Sequence, residues 1–206
     1  MHYLKTLVND CLVIYPDRHS DDRGAFFELY NEHRYIERFI GLRDLSNPKM
    51  DNIATNILEC RWLQTNCSVS NRNVVRGIHL ASYAKLVTCV LGRVWDVVVD
   101  LRVMSPTYLK WFAIDLAHDR NAEPTQIYVP PGCGHGFFSY EDISVVVYQQ
   151  TGQYDPVNEK CINWRDPTLK IEWPEAPEYI LSQKDNEAPY LHNVALAHPI
   201  DTTKVF

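Results

Sequence analysis

The sequence predicts an all-β protein that is built from many short strands. Short β-branched or aromatic segments recur at a spacing of about ten residues, and turn residues separate them. Helical spacing of apolar residues occurs only around 32–40. This pattern is typical of a sandwich, barrel or jelly roll. No internal repeat divides the chain, so we expect a single domain over 1–206.

The clearest strand is predicted over 94–101, where successive residues alternate between two faces. Further strands are predicted over 109–116 and 143–150, because both segments are short, apolar and bounded by turn residues. Gly92 lies between two strand-like segments, 85–90 and 94–101. We therefore predict a hairpin tip there.

Two segments depart from the strand pattern. Tyr35, Ile36 and Phe39 share one side of a helical projection, which predicts a short helix inside an insertion over about 31–56. The last residues, about 187–206, carry little pattern. They are expected to form a C-terminal arm across the body or a loose tail.

Composition restricts the class of function. The chain is 46% hydrophobic and 22% charged, which is enough for a sizeable core. Its formal net charge of -6 argues against general nucleic-acid binding, and no apolar run approaches the length of a membrane span. The six cysteines form no Cys-x-x-Cys pair, and no signal peptide is visible. We expect reduced thiols and a cytoplasmic location.

Several polar residues interrupt the apolar strands. Arg76 and Ile78 are predicted to alternate with Gly77 and His79, and the glycine would allow a close approach to the backbone beside the histidine. His135 stands in a glycine-rich turn. Taken singly, each residue has a structural explanation, because a lone histidine in a strand is more often a packed or surface residue.

Considered together, the order and spacing of ten such motifs resemble the dTDP-4-dehydrorhamnose 3,5-epimerase family over about 11–190. The motifs are Arg23-Gly24…Glu28, Gln64-x-Asn66-x-Ser68, Arg76-Gly77-Ile78-His79, Lys85-Leu86-Val87, Val99-Asp100-Leu101-Arg102, Pro131-Gly132…His135-Gly136-Phe137, Tyr148…Tyr154, Trp164…Asp166-Pro167, Trp173-Pro174 and Ser182-x-Lys184-Asp185. The resemblance implies a cupin-type jelly roll with a few short helices. It also implies a homodimer with shared active sites, which acts on a nucleotide diphosphate sugar with a 4-keto-6-deoxy group.

The resemblance also implies roles for individual residues. His79 corresponds to the base, Asp185 to the carboxylate that orients it, Tyr148 to the proton donor and Lys85 to the stabiliser of the enolate. These residue types suit the chemistry, because an imidazole titrates near neutral pH and fixed charges stabilise a developing oxyanion. The implied substrate-binding residues are Arg23, Glu28, Gln64, Asn66, Arg76, His135, Tyr154, Glu159 and Lys184.

The sequence predicts no metal and no other cofactor. The turn around His135 resembles that of metal-binding cupins, but such proteins also carry a His-x-His pair near position 79. Here Gly77 and Ala81 stand on either side of His79 at that spacing. Metal sites normally need three or four convergent donors, and this pattern supplies two histidines.

Differences from the family leave the substrate open. Leu80 and Ala81 follow His79 where the family has an aromatic residue and a glutamine, and the segment 28–64 is longer than usual by more than a dozen residues. The nucleotide, the sugar and the number of inverted carbons therefore stay undecided. A 3,4-keto-isomerase of the same fold and a non-catalytic sugar-binding cupin are the alternatives, and a metal-dependent oxygenase is disfavoured by its ligand count.

Overall fold

Antiparallel strands dominate the computed structural model, which describes residues 1–35, 61–118, 123–156 and 159–196. The strands are β1 His2–Lys5, β2 Leu12–Tyr15, β3 Arg18–Asp21, β4 Gly24–Phe27, β5 Gln64–Ser70, β6 Val75–Leu80, β7 Lys85–Asp100, β8 Trp111–His118, β9 Gln126–Val129, β10 Cys133–Ser139, β11 Ser144–Gln150 and β12 Lys160–Cys161. Helix α1 spans Gln183–Asn186, and a 3₁₀ helix spans Leu191–Asn193. The predicted all-β class with a few short helices is confirmed.

Two sheets share the long strand β7. The first has the order β1-β2-β9-β7-β11-β5, and the second has the order β8-β7-β10-β6-β12. The first half of β7 pairs with β9 and β11, whereas its second half pairs with β8 and β10. Strands β3 and β4 form a separate hairpin. Two antiparallel sheets joined in this way form the predicted jelly roll.

The predicted hairpin tip at Gly92 is wrong, because β7 runs through this position without reversing. A β-bulge lies here instead: Leu91 pairs with Val145 and Cys89 with Val146, so that Val90 is the extra residue. Gly92 has a φ of 76°, which a residue with a side chain rarely adopts. The bulge and the glycine bend the strand from one sheet into the other.

The main core lies between the two sheets. Val87 and Val146 of the first sheet pack in one cluster with Val94, Val98 and Phe137 of the second sheet. The alternation predicted over 94–101 is confirmed, since every second residue from Trp95 onward packs into a different cluster. Both faces of the second half of β7 are thus buried, which explains why the segment is apolar on both sides.

The described C-terminal residues cover the outer face of the second sheet. Leu191 packs beside Val97, Val99 and Ile162. The predicted arm over 187–206 therefore lies against the body as far as 196, and its remaining residues are outside the described ranges.

The predicted insertion begins with a helical turn at 32–35, and residues 36–60 lie outside the described ranges. Tyr35 of this turn is buried, and its hydroxyl donates to the Leu29 carbonyl over 3.2 Å. The assignment of 1–206 to one domain stays a prediction.

The carboxylate of Asp166 ties the C-terminal segment together. Its Oδ1 accepts the backbone N–H groups of Thr168 and Leu169 over 2.8 and 3.1 Å, and its Oδ2 accepts that of Leu191 over 2.6 Å. Asp166, Leu169 and Leu191 are all buried. Loss of the carboxylate would leave buried donors without their acceptor.

We expect Asp166→Ala to lower the free energy of unfolding by about 2–4 kcal/mol, because hydrogen bonds to a buried charged group are among the stronger ones. Chemical denaturation followed by circular dichroism measures this loss. Glu172→Ala, which removes an exposed carboxylate nearby, is the control and should change stability by less than about 0.5 kcal/mol. A loss at Asp166 no larger than the control's would contradict this account.

Candidate active site

The first sheet directs a row of polar residues into the interior. Residues directly opposite each other on antiparallel strands point to the same face. Tyr148 lies opposite Asn66 on one side and Val87 on the other, and Val87 belongs to the core between the sheets. Two residues along, Gln150 lies opposite Lys85. Tyr148, Asn66 and Lys85 therefore share the inner face.

The second sheet contributes both histidines to the same interior. His135 lies opposite the core residue Val98 on one side and opposite His79 on the other. His79 in turn lies opposite Cys161 of β12. This register places His79, His135 and Cys161 in one row across the inner face.

Strand β6 contains an irregularity that the sequence did not predict. The pairing with β10 shifts register between His135 and Phe137, so β6 does not alternate regularly over Val75–Leu80. Val75 and Ile78 both pack in clusters on the outer face although they are three residues apart. The expectation that Arg76 and Ile78 share a face is therefore wrong.

Arg76, like His79, is directed inward by this irregularity. The Nε atom of Arg76 donates to the Ser70 hydroxyl of the first sheet over 3.0 Å, and its Nη2 donates to the Val69 carbonyl over 3.2 Å. A regular strand would place Arg76 and His79 on opposite faces, because they are three residues apart. The irregular strand brings both side chains to one site.

Gly77 is required at this irregularity. A Cβ atom there would lie 2.7 Å from the Cα of Gly136 and 2.7 Å from the carbonyl oxygen of His135, and φ is 120°. The close approach that the sequence predicted beside His79 is thus made by the backbone of β10.

A carboxylate holds the imidazole of His79. Its Nε2 lies 2.7 Å from Oδ1 of Asp185, whose side chain is 5% exposed, whereas that of His79 is 32% exposed. Ser182 caps helix α1 by accepting the Asp185 backbone N–H over 3.1 Å, which fixes the position of this carboxylate. Nδ1 of His79 is the nitrogen that does not face Asp185.

The charge state of Asp185 follows from its contacts. Burial raises its pKa. This effect is outweighed by the hydrogen bond and the charge of His79 and by further hydrogen bonds from Cys161 and Ser182, all of which lower the pKa. The pKa of Asp185 consequently lies below its usual value, and the carboxylate is ionised at neutral pH. An ionised partner fixes the tautomer of the imidazole and stabilises the imidazolium.

The second histidine has its own carboxylate. Nε2 of His135 lies 2.9 and 3.0 Å from the two carboxylate oxygens of Asp96, and both residues are buried. Lys85 of the first sheet is also buried. Burial lowers its pKa to about 8, although the negative charge of Asp96 acts in the opposite direction and raises it. Lys85 therefore lies close enough to Asp96 for their charges to interact across the interior.

Glu159 and Tyr83 lie between His79 and Lys85. The Tyr83 hydroxyl donates to Glu159, and the Lys85 amine lies 5.7 Å from the centroid of the Tyr83 ring. Burial raises the pKa of Glu159, while the charges of His79 and Lys184 lower it. Glu159 thus lies close enough to His79 and to Lys184 for their charges to interact.

Tyr148 keeps its proton at neutral pH. Burial raises its pKa, the charge of Arg76 opposes this shift, and Tyr154 adds to it. A half-buried phenol beside a cation is able to donate a proton to a carbanion.

A ladder of side-chain amides extends from Tyr148 to the rim. Asn66 Nδ2 donates to Gln150 over 3.1 Å, and Gln64 Nε2 donates to the Asn66 oxygen over 2.7 Å. The Gln64 oxygen accepts the backbone N–H of Tyr154 over 3.1 Å, and Tyr154 is 52% exposed. Its ring is therefore available at the surface beside the amides.

The structure does not join Arg23 and Glu28 to these residues. Arg23 follows the hairpin strand β3, pairs with Asp21 and has a side chain that is 90% exposed. Glu28 pairs with Arg34 over 2.8 Å and accepts a hydrogen bond from Asn31. In the described part of the chain, the recorded polar contacts of Arg23 and Glu28 remain within the N-terminal segment.

Sequence reasoning missed three residues of the site. Asp96 carried a usable signal, because a carboxylate on the core face of an apolar strand needs a partner. Tyr83 and Cys161 carried none, since an aromatic residue and a thiol fit an ordinary core equally well.

Comparison with known proteins agrees with this geometry. Residues 5–193 match the family of dTDP-4-dehydrorhamnose 3,5-epimerases. The enzyme of that name from Salmonella typhimurium is 34% identical over 200 residues, which cover 95% of this chain and 98% of the relative. The chain belongs to this family. The predicted family is thus confirmed, and the chain is an isomerase of the carbohydrate epimerase class.

Two solved members of the dTDP-4-dehydrorhamnose 3,5-epimerase fold superpose well. The dTDP-6-deoxy-D-glucose-3,5-epimerase from Legionella pneumophila, in complex with dTDP-4-keto-L-rhamnose, is 31% identical with a TM-score of 0.80, and 94% of each chain is covered. A 3'-monoepimerase from Streptomyces bikiniensis, in complex with dTDP-quinovose, is 33% identical with a TM-score of 0.75, covering 93% of this chain and 88% of that one. The cupin-type jelly roll is therefore confirmed. No helix among the described residues meets the length and hydropathy needed to traverse a bilayer.

The buried lysine gives this epimerase fold a testable pH dependence. We expect the Lys85 amine to titrate with a midpoint of about 8, because burial disfavours the cation. Since this pKa lies below the ordinary value of 10.5, the cation destabilises the fold at neutral pH, and stability should rise as pH increases from about 8 to 10.5. NMR of labelled lysine side chains measures the midpoint, and Lys85→Met assigns the resonance. A midpoint near 10.5 would be inconsistent with the buried position.

Proposed function

We propose that this chain inverts C3, C5 or both of a nucleotide-linked 4-keto-6-deoxy sugar by removing a proton and returning one to the other face. The single observation that carries the proposal is the pairing of His79, on the second sheet, with Asp185 of helix α1, while the Tyr148 phenol lies on the inner face of the first sheet. The dTDP-4-keto-L-rhamnose bound by the Legionella pneumophila relative supports this substrate class. Because one relative is a monoepimerase, the similarity leaves the number of inverted carbons open.

His79 is the proposed base. A 4-keto group acidifies the C–H bonds at C3 and C5, so an imidazole near neutral pH is strong enough to remove a proton. Asp185 holds Nε2, which leaves Nδ1 to accept the proton. The ionised carboxylate then stabilises the imidazolium that forms.

Tyr148 is the proposed acid, and Lys85 stabilises the enolate. The half-buried phenol retains its proton, and its position on the first sheet suits delivery to the sugar face turned away from His79. Lys85 is still largely cationic at pH 7, and a cation in a buried site stabilises an enolate oxygen more than one in water does. Proton removal and return leave the oxidation state unchanged, so the chemistry calls for no redox cofactor.

Cationic and aromatic groups at the rim are proposed to bind the nucleotide diphosphate. Arg76 suits phosphate oxygens because its guanidinium presents several donors in a fixed plane. Lys184 and Tyr154 are exposed, and Tyr154 offers a ring for stacking on the base. His135, Gln64, Asn66 and Glu159 are proposed to supply further polar contacts to the sugar and the nucleotide.

Arg23 and Glu28 are proposed to act on a second copy of the chain. Both belong to the predicted substrate-binding set, yet their recorded contacts lie within the N-terminal segment. A homodimer in which the β3–β4 hairpin reaches the partner's site would reconcile these observations. The active site would then be shared, as the resemblance implies.

Deuterium incorporation tests the reaction. We expect the protein to introduce deuterium from heavy water at C3, C5 or both of dTDP-4-keto-6-deoxyglucose, read by NMR. General acid–base residues contribute about 10²–10⁴ in rate, so His79→Ala should reduce exchange by that factor. Tyr148→Phe should retain exchange but impair inversion, because the base remains while the donor on the other face is lost.

The same spectra contain the contrary outcomes. Movement of the carbonyl from C4 to C3 would indicate a keto-isomerase, and binding without any exchange would indicate a sugar-binding protein. Full exchange by His79→Ala would exclude the proposed role of the imidazole. Glu172→Ala, which alters an exposed side chain, is the matched control and should incorporate deuterium at the rate of the unaltered protein.

Hybrid dimers test the shared site. Arg23→Ala and His79→Ala should each lower kcat/KM, but a hybrid dimer with one subunit of each type should regain one intact site. Differently tagged chains, co-expressed and purified through both tags, should therefore show about half the unaltered rate per dimer. A hybrid no more active than the mean of its parents would place Arg23 in the site of its own chain.

A further inference from the structure

We infer that His79, Cys161 and Asp185 form a binding site for a thiophilic divalent cation, with Zn²⁺ as the expected ion, and that the bound ion blocks the base. Cation binding is independent of the proposed reaction, whereas its inhibitory effect rests on the proposed role of His79. Catalysis itself uses no ion in this proposal.

The donor atoms of these three residues already converge. A ring nitrogen of His79, the sulfur of Cys161 and a carboxylate oxygen of Asp185 all lie within 4.8 Å of one another. Oδ1 of Asp185 is 2.7 Å from His79 Nε2 and 3.3 Å from Cys161 Sγ. One carboxylate oxygen thus accepts from both neighbours.

The backbone fixes this arrangement. Cys161 of β12 lies directly opposite His79 of β6, so that their side chains leave the sheet on the same face. Asp185 is held above them by the Ser182 cap of α1. The three donors therefore come from separate elements that the fold holds together, as in a preformed metal site.

The spacing is close to that of a tetrahedral ion. With zinc bonds of about 2.0–2.3 Å, tetrahedral ligands lie about 3.4–3.6 Å apart. The Cys161–Asp185 separation of 3.3 Å is already close to this value, whereas the His79–Asp185 separation of 2.7 Å must widen by about 0.7 Å as the ion replaces the two hydrogen bonds to Asp185. His79 is 32% exposed on its side chain, and this opening provides an entry and a fourth position for water.

The donor set suits zinc in type and in charge. Nitrogen, sulfur and carboxylate oxygen are the usual zinc ligands, and three protein ligands with one open position are common. On binding, the Cys161 thiol releases its proton to solvent and the sulfur bonds to the ion. One thiolate and one carboxylate then balance the two positive charges, so that the site becomes neutral.

Binding would block the base through its tautomer. A zinc ion on Nε2 uses that nitrogen's lone pair, and the neutral ring must carry its proton on Nδ1. Nδ1 is the nitrogen proposed to accept the sugar proton, so it would have no lone pair for that purpose. The ion would also occupy Asp185, which otherwise stabilises the imidazolium.

Cobalt substitution tests the site without reference to activity. We expect Co²⁺ added to the full chain to produce a thiolate-to-cobalt charge-transfer band in the near ultraviolet, which Zn²⁺ removes by competition. Cys161→Ala should abolish the band. Cys67→Ala, which removes an exposed cysteine elsewhere and keeps the cluster, should retain it.

Inhibition tests the consequence. Zn²⁺ should suppress deuterium exchange in the unaltered protein, and a chelator should restore it. Loss of a ligand should raise the Zn²⁺ concentration for half-inhibition at least about tenfold in Cys161→Ala, measured against that variant's own metal-free rate.

Absence of the band, or its persistence in Cys161→Ala, overturns the site. A band that depends on Cys161, in a protein without exchange activity, would support the site and contradict the proposed function. Exchange activity without a band would support the proposed function and contradict the metal site. The failure of one proposal is therefore distinguishable from the failure of the other.

Discussion

The bend of β7 determines how the two sheets face each other across the interior, because this strand is part of both. One strand of 16 residues belongs to both sheets, and its bulge at Val90 together with Gly92 turns it from one to the other. The first half carries Lys85 and the second half carries Asp96, and the bend makes both face one interior. The interaction of their charges across that interior follows directly from the course of this strand.

Burial then dictates how the acidic groups of the site are arranged. An unpaired carboxylate inside a protein is strongly unfavourable, so each one needs a donor. Asp185 is paired with His79, Asp96 with His135, and Glu159 accepts from Tyr83. These pairs hold the imidazoles in fixed orientations, and the same contacts that stabilise the fold thus prepare the proposed base.

The sequence was sufficient for the strands but not for the points where strands are irregular. Alternation over 94–101 predicted which residues enter the core, because a period of two follows from strand geometry. Two irregularities reversed local predictions. The sequence predicts a hairpin tip at Gly92, since a glycine between strands is typical of a turn. Regular alternation predicts Arg76 on the face of Ile78, because the local sequence does not reveal the register shift between β6 and the distant strand β10.

Contacts between distant residues explain the remaining difference. The partnership of His79 with Asp185 came from the resemblance, because no local pattern relates residues that are 106 positions apart. Asp96 was visible as an acid in an apolar strand, but its partner His135 lies on a different strand. Periodicity thus predicts faces, whereas the pairing of faces depends on topology.

An acidic protein is able to bind an acidic ligand if its carboxylates near the site are buried and its cations lie at the surface. The net charge is -6, yet Asp96 and Asp185 are buried and paired, which limits their field at the surface. Lys184 is exposed at the rim, and Arg76 is directed towards the first sheet beside the phenol of Tyr148. A diphosphate approaching this rim would meet cations first and paired carboxylates behind them, and local charge, not net charge, determines its binding.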